Sequence, residues 1–188
     1  MLDKQLIRKQ LRSQRKVIAG EARDSFEQKL AENLSAYIQE GRKIAAYIAC
    51  GSEANLQYWL QKAFAAHCQV FMPFIEEGEK RLWFTPYFQN GNMLHSEKHM
   101  GIPQYEGDKF RAEELDVILL PLVGIDKLGF RLGQGGGYYD ASLEHCENTD
   151  CPKLVGVGFS CQLIDAVPIE PWDRKLHEFV SEEGTVLF

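Results

Sequence analysis

The sequence predicts an α/β fold in which a mostly parallel sheet is flanked by helices. Segments with a helical repeat alternate with short apolar segments of strand length along the 188 residues, the order typical of parallel sheets. The run at 117–121 is apolar throughout, which indicates a central strand buried on both faces. Hydrophobic residues make up 45% of the chain and charged residues 26%, as in globular proteins. We therefore expect a single domain over residues 1–188.

Three helices and three strands are expected in the first part of the chain. The first helix is predicted over 3–17 from basic residues that recur every fourth position: Lys4, Arg8, Arg12 and Lys16. Helices are also predicted over 23–39, ended by Gly41, and over 55–66. The strands are short apolar runs, at 44–49, 69–74 and 81–84.

The second part of the chain alternates between strands and turns. Residues 89–108 contain three glycines, a proline and many polar side chains, so they are predicted to be irregular. The central strand at 117–121 is followed by a glycine-rich turn at 129–137 and a helix at 138–145. The remaining predicted strands are 154–159, 178–181 and 185–187.

Charge and cysteine content exclude several classes of protein. Residues 1–43 carry a charge of +4 and residues 44–188 a charge of −10, so the chain has no basic surface long enough to follow a nucleic acid. No apolar run approaches the roughly 18 residues of a membrane span. The five cysteines follow no secretory signal, which favours reduced thiols and a cytoplasmic location. The basic end is suited to a small anionic ligand.

Residues 116–140, DVILLPLVGIDKLGFRLGQGGGYYD, contain the segment best suited to bind a ligand. Its glycines follow a buried strand, where α/β proteins bind ligands, and they let the backbone approach a phosphate. The segment lacks the Lys-Ser/Thr of a Walker loop, and Tyr138 stands where a G-x-G-x-x-G sequence has its third glycine. The composition alone leaves a phosphate loop and a purely structural turn equally open.

The wider sequence resembles the signature of the 5-formyltetrahydrofolate cyclo-ligase (5,10-methenyltetrahydrofolate synthetase) family. The matching residues of this signature are Pro121, Asp126, Gly129, Arg131, Leu132, Gly133, Gly135, Gly137, Tyr138, Tyr139 and Asp140. Further matches, in the family's order, are Lys4 and Arg8, then Ile102 and Pro103, then Gln162, Pro168 and Asp173. The resemblance implies a fold of the NagB/RpiA/CoA-transferase type.

The resemblance also implies a reaction. Members of the family use ATP and Mg²⁺ to close 5-formyltetrahydrofolate to 5,10-methenyltetrahydrofolate, with release of ADP and phosphate. The formyl oxygen is phosphorylated, N10 attacks the activated carbon, and phosphate leaves. We accordingly expect small-molecule partners only, with no nucleic acid and no membrane, and a monomeric protein.

Site residues are likewise implied by the family positions. ATP would be bound by Lys4, Arg8, Arg131, Leu132, Gly133, Gln134, Gly135, Gly136, Gly137, Tyr138 and Tyr139, with Arg131 and Tyr139 as catalytic residues. The folate would contact Cys50, Glu53, Asn55, Gln134, Gly135, Gly136, Gly137 and Tyr138. Mg²⁺ would be held by Asp140 and Asp173, since two carboxylates with phosphate oxygens and water suit this ion.

Two substitutions leave the acceptor open. Asn55 replaces an acidic residue of the family and Leu56 replaces a threonine, so an ATP-dependent enzyme with another acceptor is an alternative. A non-catalytic folate or nucleotide binder is a second alternative, which the presence of every implied catalytic and metal position disfavours. Two clusters are rejected as metal sites because they lack further ligands: His95 with His99, and His145 with Cys146 and Cys151.

Overall fold

The computed structural model describes residues 3–89, 91, 93–94, 103–144 and 151–188. Its helices are α1 (Lys4–Val17), α2 (Gly20–Asn33), α3 (Gln57–Ala65) and α4 (Tyr138–Ser142). Its strands are β1 (Lys43–Ala45), β2 (Gln69–Phe74), β3 (Trp83–Pro86), β4 (Met93–Leu94), β5 (Gln104–Tyr105), β6 (Val117–Pro121), β7 (Gly124–Asp126), β8 (Arg131–Leu132), β9 (Lys153–Val157), β10 (Leu163–Ile164), β11 (Glu178–Ser181) and β12 (Gly184–Leu187). Short 3₁₀ helices cover Leu34–Tyr37, Ala112–Glu114 and Ser160–Gln162.

Seven strands form the main sheet in the order β12-β11-β9-β6-β1-β2-β3. The five inner strands are parallel, and the edge strands β12 and β3 are antiparallel to their neighbours. Strand β6 lies in the middle, with Leu119 opposite Val155 on one side and Ile118 opposite Ala45 on the other. The predicted α/β class, with a mostly parallel sheet and a central strand at 117–121, is confirmed.

Both faces of the main sheet are covered. Because side chains alternate along a strand, Leu119 of β6 faces the helices α2 and α3, where Trp59 is fully buried. The indole Nε1 of Trp59 donates to the carbonyl of Leu34 at 3.2 Å, so its only polar atom is satisfied. Ile118 faces the opposite side and packs in a second cluster with Phe179.

A small second sheet, β10-β7-β8, lies next to the carboxyl end of β6. Its turn is organised by the buried carboxylate of Asp126, whose Oδ1 accepts from the amides of Leu128 at 2.9 Å and Phe130 at 3.0 Å. Oδ2 accepts from the amide of Val167 at 3.1 Å. The signature residue Asp126 therefore holds the backbone that presents Arg131.

Helix α1 is attached to this second sheet. Ile7 and Leu11 on its apolar face pack against Val123, Leu132 and Val167. Asp3 caps the helix by accepting from the amide of Gln5 at 2.8 Å. This packing fixes the orientation of the basic residues that recur every fourth position of α1: Lys4, Arg8, Arg12 and Lys16.

Several predicted boundaries were wrong. The predicted helix 23–39 begins at Gly20, and its last turns tighten to the 3₁₀ helix Leu34–Tyr37; the strand predicted at 44–49 is the shorter β1. The segment 129–137, predicted as one turn, contains β8, and the predicted loop 89–108 contains β4 and β5. The predictions on His95, His99, Ile102, His145 and Cys146 lie outside the described residues. Within the described ranges, no helix is long and apolar enough to span a membrane.

Candidate active site

A cavity of about 770 Å³ lies between α1, the segment that follows β1 and the glycine-rich loop 133–137. Its wall includes Pro121 at the carboxyl end of the central strand, the position where open α/β sheets bind ligands. The cavity is lined by nearly all the residues that the sequence implied: Lys4, Arg8, Cys50, Glu53, Arg131, Leu132, Gly133, Gln134, Gly135, Gly136, Gly137, Tyr138, Tyr139, Asp140 and Asp173. Asn55 is the exception.

The glycine-rich loop rests against α1. The Arg8 Nε donates to the carbonyl of Gly133 at 2.9 Å, and a Cβ on Gly135 would lie 3.7 Å from the Arg8 guanidinium. Gly135 has a φ of 105° and Gly137 a φ of 72°, conformations that favour glycine. The loop thus places backbone amides next to a fixed cation.

Arg131 is one of the most buried charged residues of the cavity. Its side chain is only 6% exposed, and its Nη2 donates to the Asp140 Oδ1 at 2.5 Å. Among the described residues its Nε and Nη1 are buried without a hydrogen-bond partner. Buried donors are rarely left unpaired in proteins, so these two atoms fit an anionic ligand with several oxygens.

The phenol of Tyr139 lies beside this guanidinium, with the Arg131 carbon Cζ 5.3 Å from the ring centre. Burial raises the pKa of the Tyr139 hydroxyl well above its ordinary value; the charge of Arg131 opposes this shift and Glu53 adds to it. The hydroxyl is therefore protonated at neutral pH and can donate a hydrogen bond within the cavity.

Asp173, the second predicted metal ligand, lies beside Lys4 at the amino end of α1. The Lys4 Nζ is 3.6 Å from the Asp173 Oδ2 and 3.6 Å from the Glu170 Oε1. The same Asp173 oxygen accepts from the amide of Glu170 at 2.8 Å, which fixes the carboxylate. Trp172 between them is 64% exposed and lines the cavity.

Asp140 and Asp173 are each paired with a cation, and within the described ranges no three His, Cys, Asp or Glu side chains are grouped as a metal site. Mg²⁺ commonly takes one or two carboxylates from the protein and its other ligands from phosphates and water. The donor set of this cavity therefore fits a magnesium ion that arrives with a nucleotide, and it does not form a metal site of protein ligands alone.

Glu53 provides a buried carboxylate on the opposite wall, only 5% exposed. Its Oε2 accepts from the amide of Cys50 at 2.9 Å, and its Oε1 accepts from the Gln134 Nε2 at 2.7 Å. The side-chain oxygen of Gln134 in turn accepts from the Arg12 Nη2. A single glutamine therefore joins the glycine-rich loop to Glu53 and to α1.

Two arginines hold the backbone around Glu53. The Arg23 Nη2 donates to the Glu53 carbonyl at 2.5 Å, and the Arg15 Nε donates to the Ser52 Oγ at 3.0 Å. Arg15 also donates to the carbonyl of Leu122 at 3.1 Å, which ties this segment to the chain after β6. Burial lowers the pKa of Arg15, and the charge of Glu53 acts against that shift.

Asn55 is exposed and does not line the cavity. Its Oδ1 accepts from the amide of Gln57 at 2.9 Å, so the side chain binds the first amide of α3 from the residue before the N-cap, Leu56. Its own amide donates to the Glu27 Oε1 at 3.0 Å. Leu56, the other departure from the family sequence, is buried in the main core.

The cavity also contains residues that the sequence did not single out as site residues: Arg12, Arg15, Lys16, Glu170 and Trp172. For Arg12 and Lys16 a signal was present, since both continue the four-residue repeat of Lys4 and Arg8. Arg15 departs from that repeat, and only the folded chain brings it to Ser52.

The sequence model of the 5-formyltetrahydrofolate cyclo-ligase family matches residues 1–182 of this chain. The chain belongs to this family. The 5-formyltetrahydrofolate cyclo-ligase of Escherichia coli is 26% identical over 175 residues, which cover 91% of this chain and 96% of that protein. The counterpart from Haemophilus influenzae is 27% identical over 181 residues, 94% and 96% of the two chains.

Solved structures of cyclo-ligase relatives share the fold. The 5,10-methenyltetrahydrofolate synthetase of Aquifex aeolicus superposes with a TM-score of 0.82 at 24% identity, covering 98% of this chain and 92% of that one. That of Mycoplasma pneumoniae gives a TM-score of 0.77 at 23% identity, covering 96% and 99%. Membership of the cyclo-ligase family makes the chain an enzyme, a ligase of folate one-carbon metabolism.

Proposed function

We propose that this cavity couples the cleavage of ATP to the ring closure of 5-formyltetrahydrofolate. The formyl oxygen attacks the γ-phosphorus of ATP, and the bond to ADP breaks. N10 then attacks the formyl carbon and loses its proton to solvent, and the C–O bond breaks with its electron pair leaving on phosphate. The products are 5,10-methenyltetrahydrofolate, ADP and phosphate. Phosphorylation is needed because the unmodified formyl oxygen is a poor leaving group.

The cationic residues serve the nucleotide. Lys4 and Arg8 lie four residues apart on one face of α1 and bind phosphate oxygens. Arg131 offers its two buried, unpaired N–H groups to the transferring phosphoryl group, where charge builds up in the transition state. Tyr139 donates from its protonated hydroxyl, and the backbone from Leu132 to Tyr138 surrounds the phosphates.

Asp140 and Asp173 are the carboxylates that would hold a magnesium ion bound with the nucleotide, and each is positioned by a cation, Arg131 and Lys4 respectively. Such an ion would neutralise phosphate charge next to the transferring group.

The folate occupies the wall that contains Glu53. The pterin ring has two adjacent N–H donors on one edge, and the buried carboxylate of Glu53 is a suitable acceptor for them. Cys50 and the segment from Gln134 to Tyr138 flank the formyl group. We assign Asn55 to the backbone at the start of α3 and not to the substrate, because its side chain already accepts from Gln57 outside the cavity.

We further propose that residues 1–188 act as one domain, that the enzyme is a cytoplasmic monomer, and that its partners are small molecules. Each of these proposals rests on the sequence and on the position of the cavity within one set of packed elements.

The guanidinium of Arg131 supports this proposal most directly, since it is buried, fixed by Asp140 and has two donors still to be paired. The test is to mix the purified enzyme with ATP, Mg²⁺ and 5-formyltetrahydrofolate and to follow the methenyl product by its absorbance. We expect product only when both ATP and Mg²⁺ are present. Nucleotide binding without product would favour an ATP-dependent enzyme with another acceptor.

A further inference from the structure

Gln134 is the only residue of loop 133–137 that has a side chain, since the other four are glycines. Both polar atoms of its side-chain amide form hydrogen bonds. The Nε2 donates to the Glu53 carboxylate at 2.7 Å, and the Oε1 accepts from the Arg12 guanidinium. The partners lie 81 and 122 residues away in the sequence. We call this chain of contacts the Arg12–Gln134–Glu53 bridge.

The side-chain amide of Gln134 is oriented favourably toward both of its partners. Its oxygen accepts from the cation Arg12, and its nitrogen donates to the anion Glu53. Glu53 is almost fully buried, and its other oxygen is held by the amide of Cys50. A hydrogen bond to a buried charge is stronger than one between neutral groups, so the carboxylate and the loop orient each other.

The loop has few other means of holding its position. Glycine backbones are freer than those of other residues. The contact between Arg8 and Gly133 fixes the first residue of the loop, and the Gly137 carbonyl, which accepts from the amide of Ala141 at 3.0 Å, fixes the last. Gln134 therefore fixes where the amides between these two ends lie. Those amides form the nucleotide wall of the cavity, and Glu53 forms its folate wall.

We propose that Gln134 is a positioning residue that makes the binding of folate and the binding of nucleotide depend on each other. The inference rests on the proposed function, because it assigns the pterin to Glu53 and the phosphates to the loop. When the pterin fixes the Glu53 carboxylate, the bridge fixes the loop in the phosphate-binding position. By thermodynamic reciprocity, nucleotide bound to the loop must tighten folate binding by the same factor.

The experiment measures this factor by binding alone. The dissociation constant of 5-formyltetrahydrofolate is determined by calorimetry with and without saturating Mg²⁺ and β,γ-imido-ATP, which cannot transfer its phosphate. For the unaltered enzyme we expect the analogue to tighten folate binding about fivefold or more, in the usual range of such coupling. Gln134→Met keeps the length of the side chain and loses both hydrogen bonds. In this variant the analogue should change the dissociation constant of 5-formyltetrahydrofolate by less than about twofold.

Two further variants separate the bridge from a general defect. Arg12→Met removes the other end of the bridge and should reduce the factor, with no additional loss in the double variant Gln134→Met/Arg12→Met. Gln61→Met makes the same chemical change at an exposed position of α3 outside the cavity and should leave the factor unchanged.

Each outcome is informative. If Gln134→Met retains the full factor, or if the unaltered enzyme shows none, the bridge does not couple the two sites and the proposal is wrong. Failure of the proposed function gives a different result, since 5-formyltetrahydrofolate would then not bind at all or would give no product with ATP. A direct substrate contact of Gln134 would weaken folate binding equally with and without the analogue.

Discussion

At the scale of single residues, the cavity depends on how Arg131 is held. The Arg131 Nη2 is fixed by Asp140 and the guanidinium lies beside Tyr139, while Nε and Nη1 have no hydrogen-bond partner among the described residues. A lysine at this position keeps the charge but cannot form a planar fork that binds Asp140 and an anion together. We expect Arg131→Lys to lower kcat at least a hundredfold, a barrier increase of about 2.7 kcal/mol.

The measurement is steady-state turnover with ATP and 5-formyltetrahydrofolate. Arg111→Lys is the matched control, because Arg111 stacks on Trp83 outside the cavity. The turnover of Arg111→Lys should stay within twofold of that of the unaltered enzyme. If Arg131→Lys were equally active, charge alone at this position would suffice, and the role assigned to the guanidinium geometry would be wrong.

The two proposed metal ligands provide a second test at this scale. Asp140→Ala and Asp173→Ala should each lower Mg²⁺-dependent turnover at least tenfold, about 1.4 kcal/mol of barrier. The assay is turnover over a range of Mg²⁺ concentrations. Asp165→Ala is a suitable control, since Asp165 is exposed and paired with Lys127 away from the cavity. Nearly unchanged rates in both variants would remove the metal assignment.

Asn55 is expected to affect stability and not substrate binding. Because an aspartate oxygen can accept from the Gln57 amide as the asparagine oxygen does, Asn55→Asp should leave the KM for 5-formyltetrahydrofolate within twofold of the original value. Asn55→Ala removes the acceptor for the Gln57 amide and should lower the free energy of unfolding by about 1 kcal/mol. Urea unfolding and initial-rate kinetics measure the two effects. A large decrease in KM for Asn55→Asp would instead support a contact with the substrate.

At the scale of secondary-structure elements, the chain's own pattern predicts the longer elements and misses most strands of two or three residues. Strand β6 was predicted with its correct bounds, because an unbroken apolar run of that length is suited to a strand buried on both faces. Strands β7 and β8 have three and two residues, too few for any periodicity. Their pairing depends on the buried carboxylate of Asp126, a tertiary interaction that no local pattern reveals.

The candidate site likewise has features that the sequence predicts and features that only the folded chain reveals. The family positions led to most of the cavity wall, but the Asn55 contact with Gln57 and the Gln134 contact with Glu53 depend on where side chains are directed in the folded chain. Spacing along the sequence contains no information on either contact. Polar residues such as asparagine bind nearby backbone amides as readily as ligands, so the sequence could not decide between the two roles.

The backbone conformation of the glycine-rich loop can be tested by substituting a single glycine. Gly135 has a φ of 105°, which strains any residue with a side chain, while a Cβ there would meet Arg8 only at ordinary contact distance. Gly135→Ala should therefore displace the loop and weaken the binding of ATP at least tenfold. Gly184→Ala introduces similar strain, at a φ of 128° in the first residue of β12 with open space around it.

The two glycine variants are compared by calorimetric titration with ATP and by thermal unfolding. Gly184→Ala should lower the Tm and leave ATP binding unchanged. If both variants bound ATP like the original enzyme, the conformation of the loop would not matter for the nucleotide. A loss of binding in both would indicate a general effect of destabilisation.

At the scale of the whole molecule, the uneven charge of the chain has a structural meaning. The positive end of the sequence forms α1, which lies along the cavity with Lys4 beside Asp173 and Arg8 on the loop. These contacts come from one helix that is attached to the rest of the molecule through the cluster of Ile7 and Leu11. The proposed nucleotide wall is thus completed by docking a separate element onto a sheet that is stabilised by its own two cores.

This arrangement predicts that α1 can be loosened without unfolding the sheet. Leu11 is 4% exposed, and its Cδ1 is so close to Gly124 that a Cβ there would lie at 2.5 Å. Leu11→Ala should weaken the docking of α1 by about 2 kcal/mol or more, since it leaves a cavity beneath the helix. Leu6→Ala removes an exposed leucine of the same helix and is the matched control.

Hydrogen exchange measured by mass spectrometry distinguishes local from global effects. In Leu11→Ala the amides of α1 should exchange faster while those of β6 and β9 remain protected, and the dissociation constant of ATP should rise about tenfold. Because Lys4, Arg8 and Arg12 move together with the helix, addition of ATP should restore part of the protection of α1. Faster exchange in both the helix and the sheet would mean that α1 and the sheet form one cooperative unit, in which case completion of the site could not be separated from folding.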